Sequence, residues 1–438
     1  MSEEKKIISK VATAIKTGSK ELLTNVKEAV IKPSSSIKKE RYVTLSNGKS
    51  FDKQVTRENT VYVLKYDFNL GGASVTLPKG CTLDFRGGTL SDGLIVGSDS
   101  TILADRKVFY DVKVDGTWNC VGDVRWFAEG TPVIDDQWGC RFGSLIDQSG
   151  DIQKALDSSF RELHFPPSCY YITKTLILRR EKRLVLHGSM MKLSLRQSAA
   201  AKKNTCIIFS DNDITLLQIA VSESSQNAIS IDGGSWDVSL CNNYTQNCFE
   251  VLASKVGQRI WGLNINTLVK GNHENPSGTG ISINPSEAKG LTGNVAYITD
   301  VRINSKVFSF GTGIKAMNYM DAAGYYYNWC TDIIVDGSII NCPMAVYTNV
   351  EDADIRATLQ AGYFFDGKEN DRALVHYTGV RGAMCSAIYD IEHCLSGKWS
   401  NQYAIELTTP NATMEFYGRF EAFRKQGLNI KKNCVKRI

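Results

Sequence analysis

The chain has 438 residues, long enough to bury a large core, and its 42% hydrophobic and 10% aromatic content with only 9 prolines excludes wholesale disorder. The net charge of +5 is confined to residues 1–41, which carry ten Lys/Arg against five Glu; the rest is balanced, which argues against a nucleic-acid-binding body. No run of 18 apolar residues occurs, so no membrane-inserted helix is expected, and the 12 cysteines lack C-x-x-C or Cys/His metal spacing and read as small buried hydrophobes of a reducing compartment, with no metal or cofactor implied.

In chain order, Ile8, Ile15, Leu22 and Ala29 recur every seven residues with Val11, Leu23, Val26 and Val30 beside them, predicting a basic amphipathic helix interrupted near Gly18. Its apolar stripe calls for a partner in a parallel coiled coil, on a larger assembly or on a membrane surface. The membrane reading is weakest, because no Trp or Phe marks the stripe. Ile8, Val11, Ile15, Leu22 and Val26 are the expected anchoring residues. Lys10, Lys16 and Lys20 interrupt any apolar leader, so no secretory signal is expected. Pro33 to Ser36 reads as a linker.

Residues 41–122 read as strand and turn throughout, with short alternating runs such as Thr82 to Phe85, Gly93 to Val96 and Thr101 to Leu103 divided by glycines at a spacing near ten residues. A small β-solenoid or prism is the expected form. No phosphate-cradling glycine motif is present, so these glycines are turns.

The block 123–178 contains a short amphipathic helix, with Ile152, Ala155 and Leu156 on one face and Ser149 or Asp151 as its N-cap, followed by strands around Glu162 to Phe165 and Tyr170 to Thr173. Such a helix suits a lid over the open end of a strand stack. Beyond it, runs of the type Gly280-Ile281-Ser282-Ile283, Ile298 to Val301, Gly313 to Ala316, Ile333 to Val335 and Ala404 to Leu407 recur between Asn/Asp/Gly turns. Stacked coils would align their inward residues into ladders of Cys, Asn or Ile along the body.

Gly150 to Asp157, followed by Phe165-Pro166-Pro167 and Tyr170 and Ile172, resembles the opening block of the pectate-lyase-like right-handed parallel β-helix family, and Thr60 to Phe127 resembles the leader of tail spikes and tail fibres from phages of gut bacteria of the Bacteroides type. The match departs from the family pattern in the absence of a Gly-Asp-Gly turn between Glu129 and Ser149 and in Ser168 after the prolines. The resemblance implies an all-β fold: a right-handed parallel β-helix carrying a short N-terminal helical segment and a small N-terminal β-domain. The expected units are 1–40 (anchor and linker), 41–122 (small β-solenoid), 123–178 (opening block with capping helix) and 179–438 (β-helix body with a C-terminal cap). It further implies a virion tail protein, a homotrimer joined through its N-terminus to other tail proteins, that binds a host-surface polysaccharide. The alternatives are a polysaccharide depolymerase on the same fold and a purely structural shaft.

Two sets of residues could carry such a function. Tyr319, Tyr325, Tyr326, Tyr327 and Trp329 concentrate amphipathic rings in one loop and form the expected glycan platform; equally, such rings pack between neighbouring chains. Glycoside hydrolysis needs two carboxylates separated by about 5 Å or roughly 6.5 to 9.5 Å. Asp332, Asp336, Glu351 and Asp352, with Asp354 and Asp321 nearby, are the hydrolase candidates, although acids at turns commonly cap backbone amides instead. A lyase would draw on His376, His393 and Arg381.

Overall fold

The computed structural model describes residues 41–131, 133–136, 139–142, 145–188, 204–220, 225–253, 257–285, 296–320, 326–360, 370–378, 383–386, 388–389, 401–407, 413–417, 428–430 and 435–437. The anchoring residues Ile8, Val11, Ile15, Leu22 and Val26 lie outside these. Among the described residues no helix is long and apolar enough to cross a membrane.

The protein is mostly β, and nearly all of its strand pairs are parallel. In the first region, Arg41–Thr44, Thr60–Leu64, Thr82–Phe85 and the end of Leu90–Leu103 lie side by side, with Arg41 opposite Thr60, Val61 opposite Thr82 and Thr82 opposite Thr101. A second stack joins Phe68–Asn69 and Ser74–Thr76 to Leu90–Leu103, and that strand to Phe109–Trp118. Each coil therefore takes about twenty residues. The ten-residue spacing of the sequence is one strand and one turn, half of a coil.

From Glu162 onward the chain builds three parallel faces, visited in turn. The first contains Glu162–Phe165, Arg183–Leu186 and the middle parts of the long strands Arg259–Lys270, Ala296–Phe308 and Tyr326–Ile340. The second begins with Cys169–Tyr171 and Ile207–Phe209 and continues through the ends of those long strands. The third runs Leu176–Leu178, Leu217–Ala220, Asn247–Ala253, Thr279–Pro285 and onward to Leu428–Ile430. Leu163, Leu184, Ile231, Ile265, Ile303 and Val335 stand in register on six successive rungs of the first face, all buried. With strands about 4.8 Å apart, each apolar side chain rests on the one below, so burial is continuous along the stack. One apolar core runs from Leu45 to Leu407. An asparagine pair adds a polar version: Asn349 Oδ1 accepts from the Asn318 backbone at 2.5 Å, and its Nδ2 donates to the Asn318 carbonyl at 2.8 Å. This stacked parallel architecture is compatible with a β-solenoid.

The block before the first rung caps all three faces, whose first strands would otherwise present unpaired backbone groups. Gly122–Asp123 pairs with Glu162–Phe165 on the first face. On the second, Thr131 donates its N–H to Cys169 O and its hydroxyl accepts from Tyr171 N, while Gln148 N donates to Tyr171 O. On the third, the Gln153 amide accepts from Ile177 N at 2.8 Å and donates to Ile177 O at 2.9 Å. Gln153 lies on the helix Ser149–Asp157, whose buried Ile152, Ala155 and Leu156 form the apolar face. The helix also touches the first region through Lys107 Nζ–Asp151 at 2.6 Å and Lys154–Asp111 at 3.0 Å. Neither Ser149 nor Asp151 is the N-cap. That position is Gln148, without a side-chain cap; Asp147 Oδ1 accepts from Ser149 N, Ser149 Oγ turns to the N–H groups of Thr173 and Lys174, and Asp151 is held by Lys107.

The cysteines Cys81, Cys169, Cys206, Cys241, Cys248, Cys330 and Cys342 are buried thiols outside any disulfide, and burial pushes the thiols of Cys206 and Cys248 well up. They behave as small apolar residues.

Candidate glycan-binding face

On the first face the buried ladder alternates with outward rows. Ser230, Asn264 and Arg302 form one; Asp232, Asn266, Asn304 and Asp336 form the next, on consecutive rungs. Carboxylates, the Arg302 guanidinium and the exposed Asn264 and Asn304 carboxamides offer donors and acceptors at strand spacing, whereas Asn266 Oδ1 is covered.

The carboxylates named from the sequence divide into two groups. Asp332 and Asp352 fall in a column with Ala228, Gly262 and Asp300 at the corner that leads into this face. All five have left-handed backbone, with φ between 52° and 66°: 56°, 66°, 52°, 52° and 61° in order along the chain for Ala228, Gly262, Asp300, Asp332 and Asp352. A short polar side chain tolerates that conformation better than most, so the corner itself accounts for these aspartates. Asp332 Oδ2 additionally accepts from Thr299 Oγ1 at 3.0 Å.

Asp336 and Asp354 instead stand on the outer side of the sheet itself, where Asp354 is buried beneath Arg356. Ile334 is opposite Asp354, so the two acids are one rung and two residues apart, about 8 Å between backbones from the strand rise and spacing. Arg356 takes the ground between them: it binds Asp354 through Nε at 2.7 Å and through Nη2, and Asp354 followed by Asp336 holds its guanidinium pKa up. The guanidinium compensates the charge of Asp354 and occupies the space that a water held between the two acids would need. The Glu351 backbone pairs with Thr331; its side chain, Asp321, Arg381 and His393 lie outside the described residues.

Of the aromatic loop, Tyr325 lies outside the described residues, and for Tyr319, Tyr326 and Tyr327 only the backbone is described. Tyr319–Met320 folds back antiparallel on the start of Tyr326–Ile340. Trp329 is 42% exposed and packs edge to face with Tyr297, ring centroids 6.2 Å apart. The register puts Arg259, Tyr297 and Trp329 opposite one another on three successive strands, across the corner column from the polar rows. Tyr297 and Arg259 were not legible as neighbours of Trp329, because 38 residues separate Arg259 from Tyr297 and 32 separate Tyr297 from Trp329, and only the pairing register joins them.

Two further groupings were missed. Glu162, His164 and His187 form a hydrogen-bonded chain on the first face, with Glu162 Oε1 2.5 Å from His164 Nε2 and His164 Nδ1 3.0 Å from His187 Nε2. Arg183 bridges Glu162 and Asp232 at 3.3 and 3.2 Å. The His164 hydrogen bond, ahead of Arg183, holds the Glu162 carboxyl below its ordinary range, and burial followed by His164 lowers His187. The alternation Glu162-Leu163-His164-Phe165 was a readable signal for two outward neighbours; the approach of His187 was not. On the third face, Lys315, Tyr347, His376 and Glu406 occupy one outward row, with Tyr347 and His376 ring centroids 5.3 Å apart and His376 Nδ1 3.7 Å from Glu406. Among the described residues no group of three His, Cys, Asp or Glu could hold a metal ion.

No family model and no curated protein matches the chain. Among solved structures, it is similar to a variant of sacteLam55A from Streptomyces sp. SirexAA-E in complex with glucose, at 11% identity and a TM-score of 0.37, over 85% of this chain and 78% of that one. It is also similar to the tailspike receptor binding domain of Siphovirus 9NA, at 11% identity and a TM-score of 0.32, over 92% of this chain and 77% of that one.

Proposed function

We propose that this chain is a right-handed parallel β-helix of a phage tail that binds a host-surface glycan along the outer side of its first face. The observation that carries the reading is the alignment, on consecutive rungs, of the polar row Asp232, Asn266, Asn304 and Asp336, with the column Arg259, Tyr297 and Trp329 across the adjoining corner. A linear polymer laid along the stack would meet a repeated set of hydrogen-bonding groups with an exposed ring at their edge, the combination that sugar hydroxyls and sugar faces require. The right hand follows from the strong preference of parallel strand crossovers for that hand. The resemblance of Gly150 to Ile172 to the β-helix opening block supports the same fold, and that of Thr60 to Phe127 supports a tail protein. In this reading residues 1–40 dock the chain onto other tail proteins, 41–122 form a small β-solenoid, 123–178 the opening block and 179–438 the β-helix body, and three copies assemble side by side.

The spacing of Asp336 and Asp354 favours a second reading, an inverting glycoside hydrolase, which Arg356 opposes by occupying the gap. One experiment separates the readings. Purified full-length chain is incubated with capsular polysaccharides from candidate hosts, and binding, reducing ends and the ultraviolet absorbance of unsaturated uronates are followed together. Binding that Trp329→Ala and Asn304→Ala each weaken at least tenfold, without new reducing ends, is the expected result. New reducing ends that Asp336→Asn abolishes would establish the hydrolase. Absence of binding to every polysaccharide, together with incorporation into particles, would leave a structural shaft and overturn the glycan reading.

A further inference from the structure

The Glu162, His164 and His187 chain lies at the seam where the first rung meets the second. His164 is on the outer side of Glu162–Phe165, opposite Val185 of the next strand, and His187 follows that strand's end, with its backbone N–H donating to Phe165 O. The imidazole centroids are 4.9 Å apart. A carboxylate can only accept, so Glu162 assigns the hydrogen to His164 Nε2 and leaves Nδ1 as the acceptor for His187 Nε2–H while both rings are neutral.

Among the described residues, the charged groups facing this pair come from four elements: Asp123 and Arg125 from the strand and turn at 122–126, Glu162 beside His164, Arg183 from the second rung and Asp232 from the third. Three carboxylates against two guanidinium groups leave the cluster one positive charge short. A first proton on the pair supplies that charge and keeps the contact between the rings, since the protonated ring donates to the neutral one. A second proton gives two imidazolium groups facing each other with no acceptor between them, at a separation where like charges repel strongly.

We propose that His164 and His187 act as a single proton-binding unit that takes one proton readily and resists a second, so that acid loosens the seam between the first and second rungs. The unit holds the seam while it carries no proton or one, and releases it when it is made to carry two.

Histidine C2 hydrogen–deuterium exchange, followed by mass spectrometry on the full-length chain between pH 8 and 4, reads the two rings separately. The expected midpoints differ by more than one pH unit, with His187 the lower, and His164→Gln raises the His187 midpoint by at least half a unit. Backbone amide exchange in the same samples should rise at residues 163–165 and 184–187 below the lower midpoint in the wild-type chain and not in His187→Gln. Coincident midpoints would overturn the coupled unit without recourse to any variant. Separated midpoints with unchanged amide protection would overturn the loosening of the seam.

Discussion

Residues 41–118 and the rungs from Glu162 onward use one device to different ends. In the first region successive strands of a stack follow at about twenty residues, and corners are closed by residues with left-handed backbone, Asp92 and Asp111 among them. In the second region the corner column of Gly262, Asp300, Asp332 and Asp352 does the same work, but the chain between rungs varies, from 20 residues between Val335 and Ile355 to 47 between Leu184 and Ile231. The difference shows that a stack keeps its register through inward ladders and corners alone, which frees the connections to lengthen and the outward rows to diversify. The candidate binding residues all fall in the variable region.

This contrast can be broken most directly at a ladder. Leu184→Ala removes a fully buried side chain between Leu163 and Ile231 and should cost about 3 kcal/mol of stability, read as a lower unfolding temperature by circular dichroism. An equal loss is not expected from any outward substitution. In the regular region the corresponding weak point is a corner: Gly116 has φ +90°, and a Cβ there would sit 2.2 Å from Gly97 O, so Gly116→Ala should cost about 2 kcal/mol by the same measurement. The joint between the regions is sharpened by Gln153→Ala, which leaves both backbone groups of Ile177 without their side-chain partner and should cost about 1–2 kcal/mol; Gln153→Glu keeps the acceptor and should recover part of it.

A pH-dependent effect distinguishes the same joint. Lys182 is 2% exposed, donates to Ser158 O and Phe160 O at the end of the helix, and is pushed down to about 7, by burial first and then by Arg180. The unfolded lysine holds its proton up to about 10.4, so between these values the unfolded state binds more protons and stability rises with pH, by at most about 1.4 kcal/mol per unit. Thermal unfolding between pH 7 and 10 should show this rise in the wild-type chain and a flatter profile in Lys182→Met. The smallest effect on stability belongs to the outer surface. Trp329→Ala should change it by less than about 0.5 kcal/mol while lowering polysaccharide binding; a loss of several degrees in unfolding temperature would instead assign Trp329 to a packing role.

The helix at 149–157, the strands at 162–165 and the twin prolines were legible because their periodicity is local. Alternation in Glu162 to Phe165 separated Leu163 and Phe165, which are buried, from Glu162 and His164, which are not. Capping failed to be read correctly because Ser149 and Asp151 had two possible partners each, and the choice fell to Thr173, Lys174 and Lys107, brought in from other elements. The hydrolase candidates were drawn from chain proximity. Their separation into corner aspartates and the Asp336, Arg356 and Asp354 cluster depends on backbone φ and on which rung faces which.

By itself the sequence determined the strand-rich character, the inward apolar positions and the corners, since period-two alternation and the tolerance of glycine and aspartate for left-handed backbone act within a few residues. Which outward residues become neighbours was decided only in three dimensions. Arg259 meets Tyr297, and His187 meets His164, because parallel pairing brings together residues one coil apart, and the length of each coil is set by connections whose size no local pattern encodes.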